Sequence, residues 1–345
     1  MNRASFSLFA IILLLSFNSS AQSSSDLLAR KRVLKLMGTR FEFTAVAKDI
    51  KLADEGIENG IKEVKRIESL ISSWDKASQT STINNNAGIQ PVTVDKELYD
   101  LIERSLRISS LTNGAFDISF ASVGNLWRFD GTMQKPPSKA AINISISKIN
   151  YKNIILNPQD TSVFLKEKGM SIGFGGIGKG YAAEQAKEVM IALGITSGVV
   201  SAAGDLTTWG TREDGKMWDV AIAKPDKSKR IIAWLQANNT SIVTSGNYEK
   251  FFMHEGKRYS HIIDPRTGYP TSGIKSATVV CTNAELGDAL ATTMFVLGAI
   301  EGLSLINQLK GIECLLITDD DRLVSSNNLN IKYQIAQATS DNADN

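Results

Sequence analysis

GFGGIGKGYAAE, residues 173–184, is the stretch on which the fold turns. Gly173, Gly175 and Gly178 satisfy G-x-G-x-x-G, the turn that seats a dinucleotide pyrophosphate on a helix N-terminus in a doubly wound fold. That fold also needs an acidic residue about 20 positions further on, closing the next strand, to hold the ribose. Here the following strand, SGVVSAAG, delivers Asp205 too late and only after a glycine turn, and nothing upstream resembles the first half of a dinucleotide domain. The same residues spell GxxxxGK, yet a P-loop places Ser or Thr after the lysine and this chain has Gly180. Both nucleotide folds fall away. Two readings of the cluster stay open: backbone that a ligand approaches closely, with Lys179 neutralising phosphate at a helix start, or glycines that only permit tight strand-to-helix packing.

Outward from this cluster, helical and strand periods mix without a βαβ rhythm. RFEFTAVA (40–47) alternates as a strand, and Ile50, Ile57, Ile61, Val64, Ile67 and Leu70 recur at helical spacing over 49–71. The spacing predicts a second helix over 95–111, a third over 181–193, and a pair over 284–297 and 299–309. Strands are expected at 141–147, 161–166, 197–202, 217–224, 231–236, 274–281 and 312–317. Residues 22–32 and the Asn- and Ser-rich stretch 75–88 read as polar connections. This order implies an α+β fold, a mixed or antiparallel sheet core with packed helices. We expect one domain over 33–336, with room for two subdomains around a central cleft, and a polar tail over 337–345.

The 345 residues are 43% hydrophobic and 21% charged, a composition that builds a substantial core and excludes a disordered chain. A net charge of +2 gives no global field for nucleic acid, so any phosphate must be held locally. Arg3, the apolar run LFAIILLL (8–15) and the small residues Ser19, Ser20 and Ala21 read as a cleavable signal peptide over 1–21, too short to span a membrane. No cysteine near that site offers lipid attachment, and no second long apolar run is apparent, so an exported, unanchored protein is expected. Cys281 and Cys314 both lie in apolar runs, which favours buried thiols, although export permits a disulfide.

His254 follows an apolar strand and reads as a strand residue, whereas His261 precedes the turn Asp264-Pro265-Arg266-Thr267-Gly268, rich in groups that bind anions. Asp288 and Thr292 stand four apart on an apolar helix, so their oxygens share a face. An aspartate there is costly unless paired or metal-bound, and a hard cation such as Mg2+ accepts carboxylate, hydroxyl and carbonyl oxygens together. Local capping of the helix is the alternative.

At these residues the chain resembles the ApbE family of FAD:protein FMN transferases, from Met37 to about Leu316. The segments are MGTRF (37–41), NGAFDIS (113–119), GNLWRF (124–129), GFGGIGKGYAAE (173–184), SAAGD (201–205), TSGNY (244–248), YSHIIDPRTGYP (259–270) and DALATTMFVLG (288–298). The resemblance implies a T-fold-like architecture and a periplasmic enzyme that takes FAD, uses Mg2+, and moves FMN to a threonine or serine hydroxyl of a redox partner, releasing AMP. It implies Asp288, Thr292 and the carbonyl of Gly176 as metal ligands, and His261 and Asp264 beside the flavin and pyrophosphate. Met37, Gly38, Thr39, Asp117, Asp205, Ser245, Gly246, Ile262 and Thr267 complete the implied FAD site, with Lys179 as the lysine after the glycine cluster. Trp74 takes the place of a tyrosine that would stack on flavin, Ala203 that of a common glycine, and Gly173 that of an acidic residue. His261 is the expected proton acceptor, with Asp264 orienting it or acting itself and Lys179 stabilising phosphate charge. Two other outcomes stay open: FAD hydrolysis to FMN and AMP at the same site, and flavin binding without chemistry.

Overall fold

A computed structural model describes residues 27–226, 230–248, 250–330 and 332–333. The expected signal peptide and the 337–345 tail lie outside the described residues. In chain order the elements begin with β1 (Leu28–Leu36), β2 (Thr39–Ala47), α1 (Ile50–Ile71), α2 (Gln79–Asn85), β3 (Val92–Thr93) and α3 (Lys96–Leu111). A 3-10 segment (Ile118–Leu126), α4 (Lys139–Ile146), a short 3-10 turn (Tyr151–Asn153), β4 (Ile154–Asn157) and β5 (Ser162–Leu165) follow. Next come α5 (Gly178–Ala192), β6 (Ser197–Ala202), β7 (Asp205–Trp209), β8 (Trp218–Ala223), β9 (Ile231–Ala237) and β10 (Ser241–Gly246). The remainder is β11 (Phe251–His254), β12 (Lys257–Ser260), β13 (Ile274–Cys281), α6 (Ala284–Ile306), β14 (Glu313–Thr318), β15 (Leu323–Ser325) and β16 (Lys332–Tyr333).

The scaffold is an open eight-stranded sheet in the order β1-β2-β6-β7-β10-β13-β14-β15. Each neighbouring pair is antiparallel, which makes this an α+β fold of open sheets and packed helices. Smaller sheets, β11-β12, β16-β9-β8 and β3-β5-β4, attach around it. α1 presents Ile57, Ile61, Val64 and Ile67 to Phe41 and Phe43 of β2 within one continuous core. Each such side chain contributes about 1.5–3 kcal/mol on burial. α5 lies between α1 and α6, and α6 packs on β10 and β13, so both helices are fixed on the sheet.

Three local expectations are corrected. Residues 28–32 of the expected polar connection belong to β1: all nine residues of that strand pair in register with β2, and its charges are used, Arg30 with Asp54 at 3.0 Å, Arg32 with Glu58 and Lys31 with Glu42. Residues 141–147, whose I-N-I-S-I alternation mimics a strand, lie in and just after α4, because Ser138 caps the helix on Ala141 N–H at 3.2 Å and only Ile142 is buried. The polar stretch 75–88 contains α2, capped by Ser78 on Ser81 N–H at 2.9 Å. The pair expected over 284–297 and 299–309 is present: α6 is two helical halves that meet at Gly298, whose φ of 73° ends the first. Against the expectation of no further long apolar run, α6 is long and apolar enough to cross a membrane, yet it is packed against the sheet as a core helix. Cys281 and Cys314 are buried free thiols, and burial pushes Cys281 up to about 11.

Candidate active site

The starts of α5 and α6 meet at a point that only glycine allows. Gly180 N–H donates to Asp288 Oδ2 at 3.0 Å, and a Cβ on Gly180 would stand 2.1 Å from the Ala284 carbonyl oxygen. This contact is the physical reason the lysine is not followed by Ser or Thr. The junction is clamped from both sides: Asn283 caps α6 on Leu286 N–H at 2.9 Å, and Glu184 accepts from Ala284 N–H at 2.9 Å. Of the two open readings of the glycine cluster, close packing therefore holds at Gly180, while Gly173, Gly175 and Gly176 line a cavity.

That cavity, of about 180 Å³, gathers Asp117, Lys179, Ser245, Gly246, His261, Ile262, Asp288 and Thr292 from five separate chain segments. It is smaller than the ~300–1,000 Å³ typical of small-molecule sites, so a dinucleotide would extend beyond it. Asp288 is 1% exposed, with Oδ1 3.7 Å from Lys179 Nζ. Lys179 also pairs with Asp205, fully buried at the start of β7 behind the turn Ala203-Gly204, whose φ values are 52° and 109°. Thr292 lies one turn beyond Asp288, and a Cβ on Gly176 would reach within 3.1 Å of its hydroxyl, so the glycine backbone abuts Thr292.

His261 Nδ1 lies 3.2 Å from the Lys250 carbonyl, which can only accept, so Nδ1 carries the proton and Nε2 keeps its lone pair. Burial pushes the imidazole down to about 4, with the Lys250 and Lys179 charges adding to the effect. The ring is neutral at pH 7. Asp117 accepts from Ser119 N–H at 2.8 Å, Ser119 Oγ at 2.6 Å and Tyr151 N–H at 2.8 Å, which anchors the 3-10 segment; burial raises its pKa.

Other expected residues stand outside the cavity. Asp264 is held by a two-point contact from Arg266, 3.0 Å on each oxygen, and Arg266 donates to the Val296 carbonyl at 2.9 Å, tying the turn to α6. Thr267 Oγ1 accepts from Tyr269 N–H at 3.3 Å within the same turn. Met37 and Gly38 form the β1–β2 hairpin turn, ahead of Thr39, with the Met37 Cε 3.8 Å from where a Cβ on Gly178 would sit. Trp74 is 84% exposed, one residue beyond Ser73, which faces Gly173. Phe116, Phe120 and Thr244 also line the cavity, and each lies inside or beside a motif segment, the signal by which sequence could have found them; Ala203 and Pro265, of the glycine-replacing position and the anion-binding turn, line it too. A larger open cleft of about 760 Å³ borders Arg104, Tyr181 and Glu285, but Arg104 already pairs with Glu285 at 2.7 Å and Tyr181 donates to Glu97 at 2.5 Å.

Among the described residues no group of three or more His, Cys, Asp or Glu is placed to hold a metal. What Asp288, Thr292 and the Gly176 backbone offer is the sparse oxygen set that Mg2+ takes when substrate phosphates and water complete its shell.

The sequence matches the model of the ApbE family over residues 37–316. It is 30% identical over 283 residues to an FAD:protein FMN transferase of Klebsiella pneumoniae (strain 342), covering 81% of this chain and 88% of that protein. It is 31% identical over 293 residues to the FAD:protein FMN transferase of Escherichia coli (strain K12), covering 83% of each. The crystal structure of the ApbE protein from Thermotoga maritima superposes with a TM-score of 0.81 at 28% identity, over 87% of this chain and 97% of that one.

Proposed function

The chain belongs to the ApbE family and is an FAD:protein FMN transferase, and we propose that it works outside the cytoplasm with Mg2+ on Asp288, Thr292 and the Gly176 carbonyl, releasing AMP. The acceptor in this reading is a threonine or serine hydroxyl of an exported or membrane redox protein. The observation that carries the proposal is the convergence, in one cavity, of an oxygen donor pair (Asp288, Thr292), a cation (Lys179) and a neutral histidine with a free Nε2 (His261).

The roles follow from chemistry at these atoms. Lys179 and backbone N–H groups of the glycine cluster hold non-transferred phosphate oxygens, stabilising charge that grows as the bond to AMP breaks. When bound, Mg2+ supplies Lewis-acid charge stabilisation to the same diphosphate. The acceptor hydroxyl oxygen attacks the FMN phosphorus, and its proton passes to His261 Nε2. One P–O bond forms to the protein and one breaks to AMP. His261 stays correctly oriented because its Nδ1–H is committed to the Lys250 carbonyl. Asp264, bound to Arg266, sets the shape of the turn that carries His261 and supports it as a positioning residue. Trp74, exposed beside the glycine cluster, offers a face on which the part of FAD outside the cavity can stack.

The experiment is an AMP-release assay with FAD and acceptor, with and without Mg2+, on the native protein and Asp288→Asn. The expected result is Mg2+-dependent AMP release that the variant lacks. Full turnover in EDTA, or an unaffected Asp288→Asn, would refute the metal assignment, and AMP release without acceptor labelling would favour FAD hydrolysis.

A further inference from the structure

Two carboxylates with almost no solvent contact, Asp205 and Asp288, converge on one ammonium group. Lys179 Nζ pairs with Asp205 and stands 3.7 Å from Asp288 Oδ1, while Asp288 Oδ2 is occupied by Gly180 N–H. Both carboxylate side chains are 1% exposed and Lys179 is 30% exposed, at the cavity wall. Buried carboxylates need counter-charge, and the Lys179 ammonium stands close enough to supply it to both.

We propose that Lys179 is the protein's own occupant of the cation position, a positioning residue that neutralises Asp205 and Asp288 before the divalent ion arrives and thereby sets how tightly that ion binds. The inference rests on the reading of Asp288 as a cation donor. A divalent ion entering at Asp288 meets the Lys179 charge a few ångströms away, so binding of the metal alone is weak. The diphosphate of FAD carries negative charge into the same cavity and offsets that repulsion, so metal and dinucleotide bind each other's complex better than they bind the empty protein. Asp205 is the anchor in this scheme: it holds Lys179 back from Asp288, and without it the ammonium settles on the metal-binding carboxylate.

The test is calorimetric titration of Mg2+ alone into the metal-free full chain, then with FAD present. Lys179→Met and Lys179→Gln should bind Mg2+ at least about tenfold more tightly than the native protein, a change of ~1.4 kcal/mol. Asp205→Asn should bind it about tenfold more weakly, and should have little further effect in the Lys179→Met background. FAD should raise Mg2+ affinity more in the native protein than in Lys179→Met. Where a neutral variant folds poorly in EDTA, the same comparison is read from melting temperature, which should rise more with added Mg2+ than that of the native protein. Unchanged or weaker Mg2+ binding in both Lys179 variants, with Asp288→Asn still abolishing it, would overturn this inference alone. Native binding that Asp288→Asn does not disturb would overturn the metal-site reading and this inference with it.

Discussion

Gly180→Ala sets two effects of opposite sign against each other. In the interior of a helix, alanine is favoured over glycine by up to ~1 kcal/mol, so propensity alone predicts a more stable protein. The added Cβ, however, would lie 2.1 Å from the Ala284 carbonyl oxygen, 2.7 Å from its carbon and 2.8 Å from Asp288 Cβ. Ordinary contact requires more than 3 Å, so α6 must retreat from α5 by about 1 Å, and the obstacle is backbone with no rotamer to yield. Overpacking of a fixed core costs ~1–3 kcal/mol or more, and here the Gly180 N–H bond to Asp288 is stretched as well, adding ~1 kcal/mol. The clash wins, with a net loss of ~1–3 kcal/mol after the propensity gain is subtracted. Gly178→Ala is the internal control, because its Cβ meets the terminal methyl of Ile71 at 2.8 Å, an atom free to rotate away. Urea denaturation followed by tryptophan fluorescence reads both variants, and a titration reads Mg2+ affinity. A Gly180→Ala protein as stable as the native one, with unchanged Mg2+ binding, would refute the claim that the helix junction builds the site.

Four further outcomes are expected. His261→Asn should slow FMN attachment by ~10²–10⁴ while FAD occupancy, measured by flavin titration, falls far less; equal losses would make His261 a binding residue. Because burial holds the folded imidazole near 4 against 6.5 when free, the unfolded chain binds the extra proton between those values. Stability is therefore complete above about pH 6.5 and declines as pH falls toward 4, by at most about 3 kcal/mol, a slope that His261→Asn should remove from pH-dependent melts. Arg266→Met, which frees Asp264 and the Val296 carbonyl, should cost ~1–2 kcal/mol and lower the transfer rate through a loosened turn, both read on the same preparation. A thiol reagent should find Cys281 and Cys314 inert in the native protein and both reactive in denaturant, with no change on prior reduction; a reduction-dependent count would contradict the free thiols.

What was legible in the chain was what local periodicity encodes. α1 and α3 carry wide apolar faces at helical spacing, and Ile57, Ile61, Val64, Ile67, Leu70, Leu98, Leu101, Ile102 and Ile108 are buried as that spacing selects, whereas Ile50 at the start of α1 is exposed and Leu106 only partly buried. β1 was invisible because its alternation is charged; it is a strand only through its pairing with β2 and the ion pairs to α1, both non-local. α4 was misread because Ile142, Ile144 and Ile146 alternate at period two, while the deciding signal was the Ser138 cap. In the site, Lys179, His261, Asp288 and Thr292 were selected by residue type and motif, and the fold brings them into one cavity. The engagement of Asp264 by Arg266 could not be read, since it depends on the turn folding back onto the end of the first half of α6. The function of Gly180 was equally hidden, because the Ala284 carbonyl that excludes a side chain lies more than a hundred positions away.

The central claim is transfer of FMN to protein, and intact-mass spectrometry of a candidate exported redox acceptor tests it most directly. After incubation with this protein, FAD and Mg2+, the acceptor should gain the mass of one FMN in phosphoester linkage at a threonine or serine, with one AMP released per label and neither seen with Asp288→Asn. An acceptor of unchanged mass while FAD is consumed to FMN and AMP would contradict transfer.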